Sequence, residues 1–464
     1  MKFPLALRSC SLLVENPFPS FLFLQIARLG RFEFSKELLT TFDIENTVFG
    51  KRNLVRISNI VWCKLLHETV MNAEGLHMAL DQETLNQFVE TIRRYVRERL
   101  VPLEELVAEE DRIPEDVIDE MKEMGLFGIS IPEEFGGLGL SMSEEVAIIQ
   151  EMGYTSPVFR SMFGTNVGIG SQGIIMDGTP EQKEKYLPLL ASGELVGSFA
   201  LTEPDAGSDA GSVRTTARLE GDVYILNGTK RFITNAPRAG VFTVMARTGT
   251  REEGGRGVSA FLVDANLSGI TLGKPDKKMG QKGSHTCDVI FENVRVPKDA
   301  LIGGVEGQGF KTAMKVLDRG RLHISALSVG TAKRLIDESV SYTSERKQFG
   351  TEICNFQLVQ AMLADSQTEY FAGKCMVEEI ARSYDSGEKV SLNAASSKLF
   401  CTEMVGRVAD RAVQLHGGSG YISEYCVERF YRDVRLFRLY EGTTQIQQLV
   451  IAKQMIRDFN EQTA

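Results

Sequence analysis

The chain has 464 residues, 43% hydrophobic and 25% charged, with a net charge of −10. That length accommodates several domains and buries its cores without disulfides, and the acidic balance argues against a nucleic-acid partner, which needs a basic face. Seven scattered cysteines without a C-x-x-C pair, and five histidines without H-E-x-x-H spacing, point to a reducing compartment and to no metal site.

Residues 1–70 read as a non-conforming leader. They hold nine basic and six acidic residues. The run Phe21-Leu22-Phe23-Leu24 is too short for a membrane span, and no small-residue cleavage site follows it. An upstream start, with the working protein beginning at Met71 or Met78, is the preferred reading. It leaves Trp62 outside the working protein and implies a cytoplasmic location, or the mitochondrial matrix if the leader is a transit peptide.

From Asp81, a plausible N-cap, the pattern is helical. Leu85, Phe88, Val89, Ile92 and Val96 form one apolar stripe. Pro114 suits the first turn of the next helix, which should end near Gly125. Ser141 with Glu144, and Thr179 with Gln182, are capping boxes. Residues 81–195 therefore read as an α-helical domain. Gly168-Ile169-Gly170-Ser171-Gln172-Gly173 spells G-x-G-x-x-G, but a dinucleotide turn needs a strand before it. The helical flanks favour small residues that permit close approach.

After Gly197 the texture turns to strands. Val223–Leu226 and Arg231–Thr234 flank Asn227-Gly228, a hairpin signal. Further strands are expected at residues 241–247, 258–264 and 289–296, with Pro297 ending the last and an exposed loop at 248–257. Residues 196–303 form the middle β domain, expected to be an antiparallel barrel or sandwich. In residues 304–464 helices return. Cys401, Met404, Val405, Val408, Ala412 and Leu415 mark one helix of a C-terminal four-helix bundle. The fold class is α+β, in the order α, β, α.

Three stretches carry chemistry. Thr202-Glu203-Pro204-Asp205-Ala206-Gly207-Ser208-Asp209 lies where α gives way to β. It offers hydroxyls and free backbone N–H groups to a hydrogen-bonding ring or a phosphate, or is simply a solvated connector. Gln414-Leu415-His416-Gly417-Gly418 closes a long helix, as a C-cap or as exposed main-chain donors. Tyr440-Glu441-Gly442-Thr443-Thr444-Gln445 sets one carboxylate beside a glycine at a helix junction, where a threonine N-cap is the ordinary reading.

The first two stretches, with Arg346-Lys347-Gln348-Phe349-Gly350 and Tyr440-Glu441-Gly442-Thr443, resemble four signature segments of the acyl-CoA dehydrogenases in the expected order, across residues 81–464. The resemblance implies FAD, an acyl-CoA substrate and Glu441 as the base that takes the α-proton. A hydride would pass from the β-carbon to flavin N5, leaving a trans-2-enoyl-CoA. It implies that Leu201, Thr202, Ser208, Phe232 and Thr234 meet the flavin. Many members have tryptophan where Phe232 stands. Thr443 and Gln445 correspond to flavin-nucleotide contacts. Arg346, Gln348, Phe349, Gln357, Gln414, Gly417 and Gly418 correspond to a group that holds FAD from a neighbouring subunit, hence a homotetramer. Ser208, Asp318, Arg321 and Gly442 correspond to substrate contacts, although Asp318 and Arg321 also read as a plain i,i+3 ion pair. Gly320 lies between them, in a segment where some branches carry the base instead, as a glutamate. His323 and His416 read as structural. Electron-transferring flavoprotein is the implied electron partner. An acyl-CoA oxidase using O₂, or an acyl-CoA-binding helical scaffold, are the alternatives.

Overall fold

The computed structural model describes residues 81–463. The leader reading, Trp62, Cys10 and Cys63 lie outside the described residues. The first domain contains α1 (Gln82–Tyr95), α2 (Glu104–Glu110), α3 (Glu115–Glu123), α4 (Met142–Met152), α5 (Pro157–Thr165), α6 (Gln172–Asp177) and α7 (Pro180–Ala191). Its termini are set locally. The Asp81 carboxylate accepts from Thr84 N at 2.9 Å, and both capping boxes form, at Ser141 with Glu144 and at Thr179 with Gln182. After α3 the chain turns through Gly125 in the left-handed region, where glycine carries no Cβ penalty.

Seven strands follow: β1 (Gly197–Ala200), β2 (Thr216–Glu220), β3 (Val223–Thr234), β4 (Val241–Arg247), β5 (Val258–Asp264), β6 (Ile270–Leu272) and β7 (Thr286–Pro297). They form one sheet in the order β1-β4-β2-β3-β7-β6, with β5 also on β4. Most pairings are antiparallel. β1 and β4 run parallel, as does the single bridge between β2 and β4 at Thr216 and Arg247, because these strands are not consecutive in the chain and need no hairpin.

Asn227-Gly228 is not a hairpin. β3 runs straight through it, with a register shift against β7 between Leu226 and Gly228. The Asn227 side chain exchanges hydrogen bonds with Asn293 on β7, and Gly228 at φ 152° leaves no room for a Cβ, which would lie 2.4 Å from Thr215 Oγ1. The Asn-Gly pair therefore builds a bulge. The turn lies earlier, at Gly221-Asp222 between β2 and β3, where Glu220 pairs with Val223.

The C-terminal domain is built from α8 (Gly309–Glu345), α9 (Gln357–Asp385), α10 (Ser391–His416) and α12 (Thr444–Thr463), with the short α11 (Cys426–Val434) and a small hairpin of β8 (Lys347–Gln348) and β9 (Thr351–Glu352). α8 is 37 residues long, about 55 Å, and is buried almost continuously from Arg319 to Ile336. The six residues of the 401–415 stripe are all buried on α10. The first-domain helices share one apolar core with α8, α9, α10 and α11. The inside of the β domain is a second core. A third, with Leu187, Leu190, Phe199, Met245 and Ala313, joins α7 and α8 to the sheet. Each large apolar side chain so buried contributes about 1.5–3 kcal/mol.

Among the described residues no helix is long and apolar enough to cross a membrane, and all five cysteines are free. Gly170 explains part of the glycine-rich segment: a Cβ there would sit 3.2 Å from the Gly197 carbonyl carbon, so α-helical and β layers touch through bare backbone.

Candidate active site

A cavity of about 440 Å³ opens where the sheet meets the helices. On the sheet side lie Leu201, Thr202, Ser208, Phe232 and Thr234, and on the helix side Arg160, Arg321, Tyr440, Glu441 and Gly442. Sequence segments more than 200 residues apart are thus brought face to face.

The loop after β1 is held from beneath. Glu203 is buried, and its carboxylate accepts from Thr215 N at 2.9 Å and from Lys230 Nζ on β3 at 2.7 Å. Lys230 Nζ also donates to Leu201 O at 3.1 Å, and Arg231 N donates to Thr202 O at 2.8 Å. Burial raises the Glu203 pKa, but Lys230 and these hydrogen bonds outweigh it and hold the carboxyl below its ordinary range. With the loop so fixed, the hydroxyls of Thr202, Ser208 and Thr234 line the cavity without a hydrogen-bond partner among the described residues. Phe232 is 56% exposed and sits at φ 60°, with the Arg231 guanidinium 4.8 Å from its ring centre.

Glu441 lies just ahead of α12 at φ 52°, in the left-handed region uncommon for a side-chain-bearing residue. Three elements hold it there. Gln447, one turn into α12, donates to Glu441 O at 3.2 Å and to Gly442 O at 2.9 Å. Lys398 on α10 donates to Gly442 O at 2.7 Å. On α8, Gly320 has its hydrogen against the carboxylate, where a Cβ would come within 2.0 Å of Glu441 Oε2. Oε2 is buried with no hydrogen-bond partner. The Glu441 backbone N–H also has no partner among the described residues. Burial raises the Glu441 pKa, and Arg160, Lys398 and Arg321 pull it partly back.

Gly442 lines the cavity. It sits at φ 91°, and a Cβ would meet Gln447 Nε2 at 2.5 Å. Arg321 forms the ion pair with Asp318 and also lines the cavity. Asp318 does not line the cavity and accepts from Ser391 Oγ at 2.6 Å. Thr443 does the ordinary work of an N-cap, its Oγ1 accepting from Ile446 N at 3.3 Å, and Gln445 is exposed. Neither lines the cavity.

Arg346, Gln348, Phe349, Gln357, Gln414, Gly417 and Gly418 are not at the cavity either. They are exposed and gather where α8 ends. Tyr342 on α8 stacks on His416 with ring centres 4.2 Å apart and bonds Ser419 at 3.2 Å, which ties the Gly417-Gly418 turn to the Arg346–Phe349 segment. Phe349 is 95% exposed at φ 55°.

Several buried titratable residues at or beside the cavity were not legible as site residues. Lys398 is one. The others form a buried chain: Arg160 Nη2 lies 3.1 Å from His323 Nδ1, and His323 Nε2 lies 2.7 Å from Glu145, which pairs with Arg319. The one local signal is Arg160 itself, a lone charge in the buried run Pro157-Val158-Phe159-Arg160 with Gly164 one turn on.

Three acyl-CoA dehydrogenase family models match the chain in order: the N-terminal domain over residues 82–194, the middle domain over 198–294 and the C-terminal domain over 307–456. The chain belongs to the acyl-CoA dehydrogenase family. It is 41% identical to the 3-(aryl)acrylate reductase of Clostridium sporogenes over 79% of this chain and 96% of that protein. It is 40% identical to the caffeyl-CoA reductase-Etf complex subunit CarC of Acetobacterium woodii, over 80% and 98%. Among solved structures it resembles an acyl-CoA dehydrogenase complexed with FAD from Bacillus anthracis, with a TM-score of 0.77 and 34% identity, covering 82% of this chain and 70% of that one. As a family member the protein is an FAD-dependent oxidoreductase acting on acyl-CoA. The cavity suits that cofactor: three unpartnered hydroxyls and an aromatic ring face an unpartnered acid across a slot walled by apolar side chains.

Proposed function

We propose that this acyl-CoA dehydrogenase oxidises the α,β bond of an acyl-CoA thioester with Glu441 as the base. The observation that carries the reading is the Glu441 carboxylate, held at the cavity wall with Oε2 buried and unpartnered. A desolvated carboxylate with a raised pKa is a stronger base than one in water. Glu441 would take the proton from the carbon beside the thioester carbonyl. Its own unpartnered N–H is placed to bond the carbonyl oxygen and stabilise the negative charge that develops there. Bound FAD would supply the acceptor for the hydride that leaves the β-carbon. Thr202, Ser208 and Thr234 would hydrogen-bond the flavin, Leu201 and Phe232 would wall it, and Arg321 and Gly442 would border the thioester.

The exposed group at the end of α8, Arg346, Gln348 and Phe349 with Gln357, Gln414, Gly417 and Gly418, is proposed to hold the cofactor's distal end in a neighbouring subunit of a homotetramer. Its separation from the cavity and its exposure support that reading. Electron-transferring flavoprotein is the proposed partner, supported by the Etf-complex name of the CarC relative. The two relatives described above are named reductases. In that direction protonated Glu441 would return the α-proton.

The test is Glu441→Gln. The variant should keep its yellow cofactor and lose anaerobic bleaching by acyl-CoA, by about 10³-fold or more. Bleaching at the wild-type rate would remove Glu441 from the mechanism. Rapid peroxide formation by reduced enzyme in air would favour the oxidase reading instead.

A further inference from the structure

The cavity holds a second buried group that dehydrogenation of a plain fatty acyl chain leaves unused. Arg160, on α5, is only 7% exposed and lines the cavity. The other arginines there are matched: Arg321 pairs with Asp318 and Arg231 with Asp288. Lys278 donates to Ser284 O at 2.5 Å. Arg160 has no carboxylate in contact among the described residues, and its Nε is buried without a partner. It makes no ion pair with Glu441, although the two are close enough for Arg160 to favour the ionised acid.

The surroundings hold the guanidinium in place without neutralising it. Its Nη2 donates to His323 Nδ1 at 3.1 Å. His323 is fully buried and kept neutral by that burial. With Nδ1 accepting, Nε2 carries the proton and donates to Glu145 at 2.7 Å. Glu145 is in turn held by Arg319, so its charge is already matched. Gly164, at i+4 on the same face of α5, makes the space: a Cβ there would lie 2.9 Å from the guanidinium carbon. A buried guanidinium with an unpaired donor is costly unless an anion completes it, and its planar fork suits a carboxylate.

We propose that Arg160 is a substrate-specificity residue that binds a carboxylate at the far end of the acyl chain, so that the preferred substrates are mono-CoA thioesters of short dicarboxylic acids. The inference deepens the dehydrogenase reading and rests on it. A methyl-ended chain would leave Arg160 desolvated and unmatched, whereas a carboxyl-ended chain turns the same group into a charge-assisted bidentate contact.

The test uses the FAD-loaded wild-type enzyme and matched pairs of thioesters: pentanoyl-CoA against glutaryl-CoA, and hexanoyl-CoA against adipoyl-CoA. Anaerobic flavin bleaching should half-saturate at roughly 10- to 100-fold lower concentration for the carboxyl-ended twin, the span expected of one hydrogen-bonded charge pair. In Arg160→Met that ratio should collapse toward one, and Arg160→Lys should recover part of it. A purely structural role would weaken both twins alike and leave the ratio standing. Equal or tighter half-saturation by the methyl-ended twin in the wild type overturns the inference. Absence of bleaching by both twins overturns the dehydrogenase reading instead, and perturbation of the oxidised flavin spectrum by each twin then decides the carboxylate site separately. Tighter binding of the carboxyl-ended twin supports the site, and equal or weaker binding overturns it.

Discussion

Replacing Gly320 by alanine separates the stability of α8 from the placement of the proposed base. The added Cβ would stand 2.0 Å from Glu441 Oε2 and 3.0 Å from Cδ, against an ordinary contact beginning near 3.4 Å. The carboxylate must therefore retreat by about 1.4 Å (3.4 − 2.0). The Glu441 backbone cannot follow, because Gln447 and Lys398 hold it from two sides, so the side-chain torsions take the whole displacement. A reacting group misplaced by about 1 Å loses about 100-fold in rate, or about 2.7 kcal/mol. Fold stability moves the other way or not at all: alanine gains about 1 kcal/mol over glycine inside a helix, offset in part by the crowding. Gly320→Ala should therefore keep its melting temperature within a few degrees, keep its FAD and bleach about 100-fold more slowly in anaerobic stopped flow. An unchanged bleaching rate refutes the placement of Glu441 as base. A collapsed melting temperature refutes the claim that only the carboxylate has to move.

Three further outcomes follow from the charges. Glu441 must be ionised to accept a proton and burial raises its pKa, so the bleaching rate should climb with pH through a midpoint above the ordinary 4.5 of a glutamate. Lys398 favours the ionised acid, so Lys398→Met should move that midpoint to higher pH, and a midpoint that stays or falls contradicts the assignment. Lys230→Met should strip Glu203 of its buried counter-ion, costing about 3–5 kcal/mol, and should lower both the melting temperature and the flavin content, measured on the same sample. Retention of both would mean that the loop from Leu201 to Ser208 does not depend on the pair.

What could be read in advance was local. Asp81, the Ser141 and Thr179 capping boxes and the 401–415 stripe act over three or four residues, and their hydrogen bonds or packing are implied by spacing alone. Asn227-Gly228 misled because the same two residues suit a hairpin or a bulge, and only the partner strand, through Asn293 and Thr215, decides between them. The carboxylate at 441 emerged from ordered motifs, but its brace at Lys398 and its contact with Gly320 did not, since neither spacing nor composition brings α10 and α8 to the same point. Arg160 and His323 are 163 residues apart in the chain, and His323 and Glu145 are 178 apart. A buried charge whose partners lie that far off looks, in one dimension, like an interruption in an apolar helix.

The two walls of the cavity belong to different layers: the hydroxyls to the sheet and the loop it supports, the acid to the helices. Neither half is a site alone, and the third apolar core is the seam that keeps them in register. The yellow colour of the holoenzyme is then a gauge of that seam. On gentle warming, flavin should escape when sheet and bundle part, while the far-ultraviolet helical signal, which belongs to the first-domain helices and the bundle that share one core, persists to higher temperature.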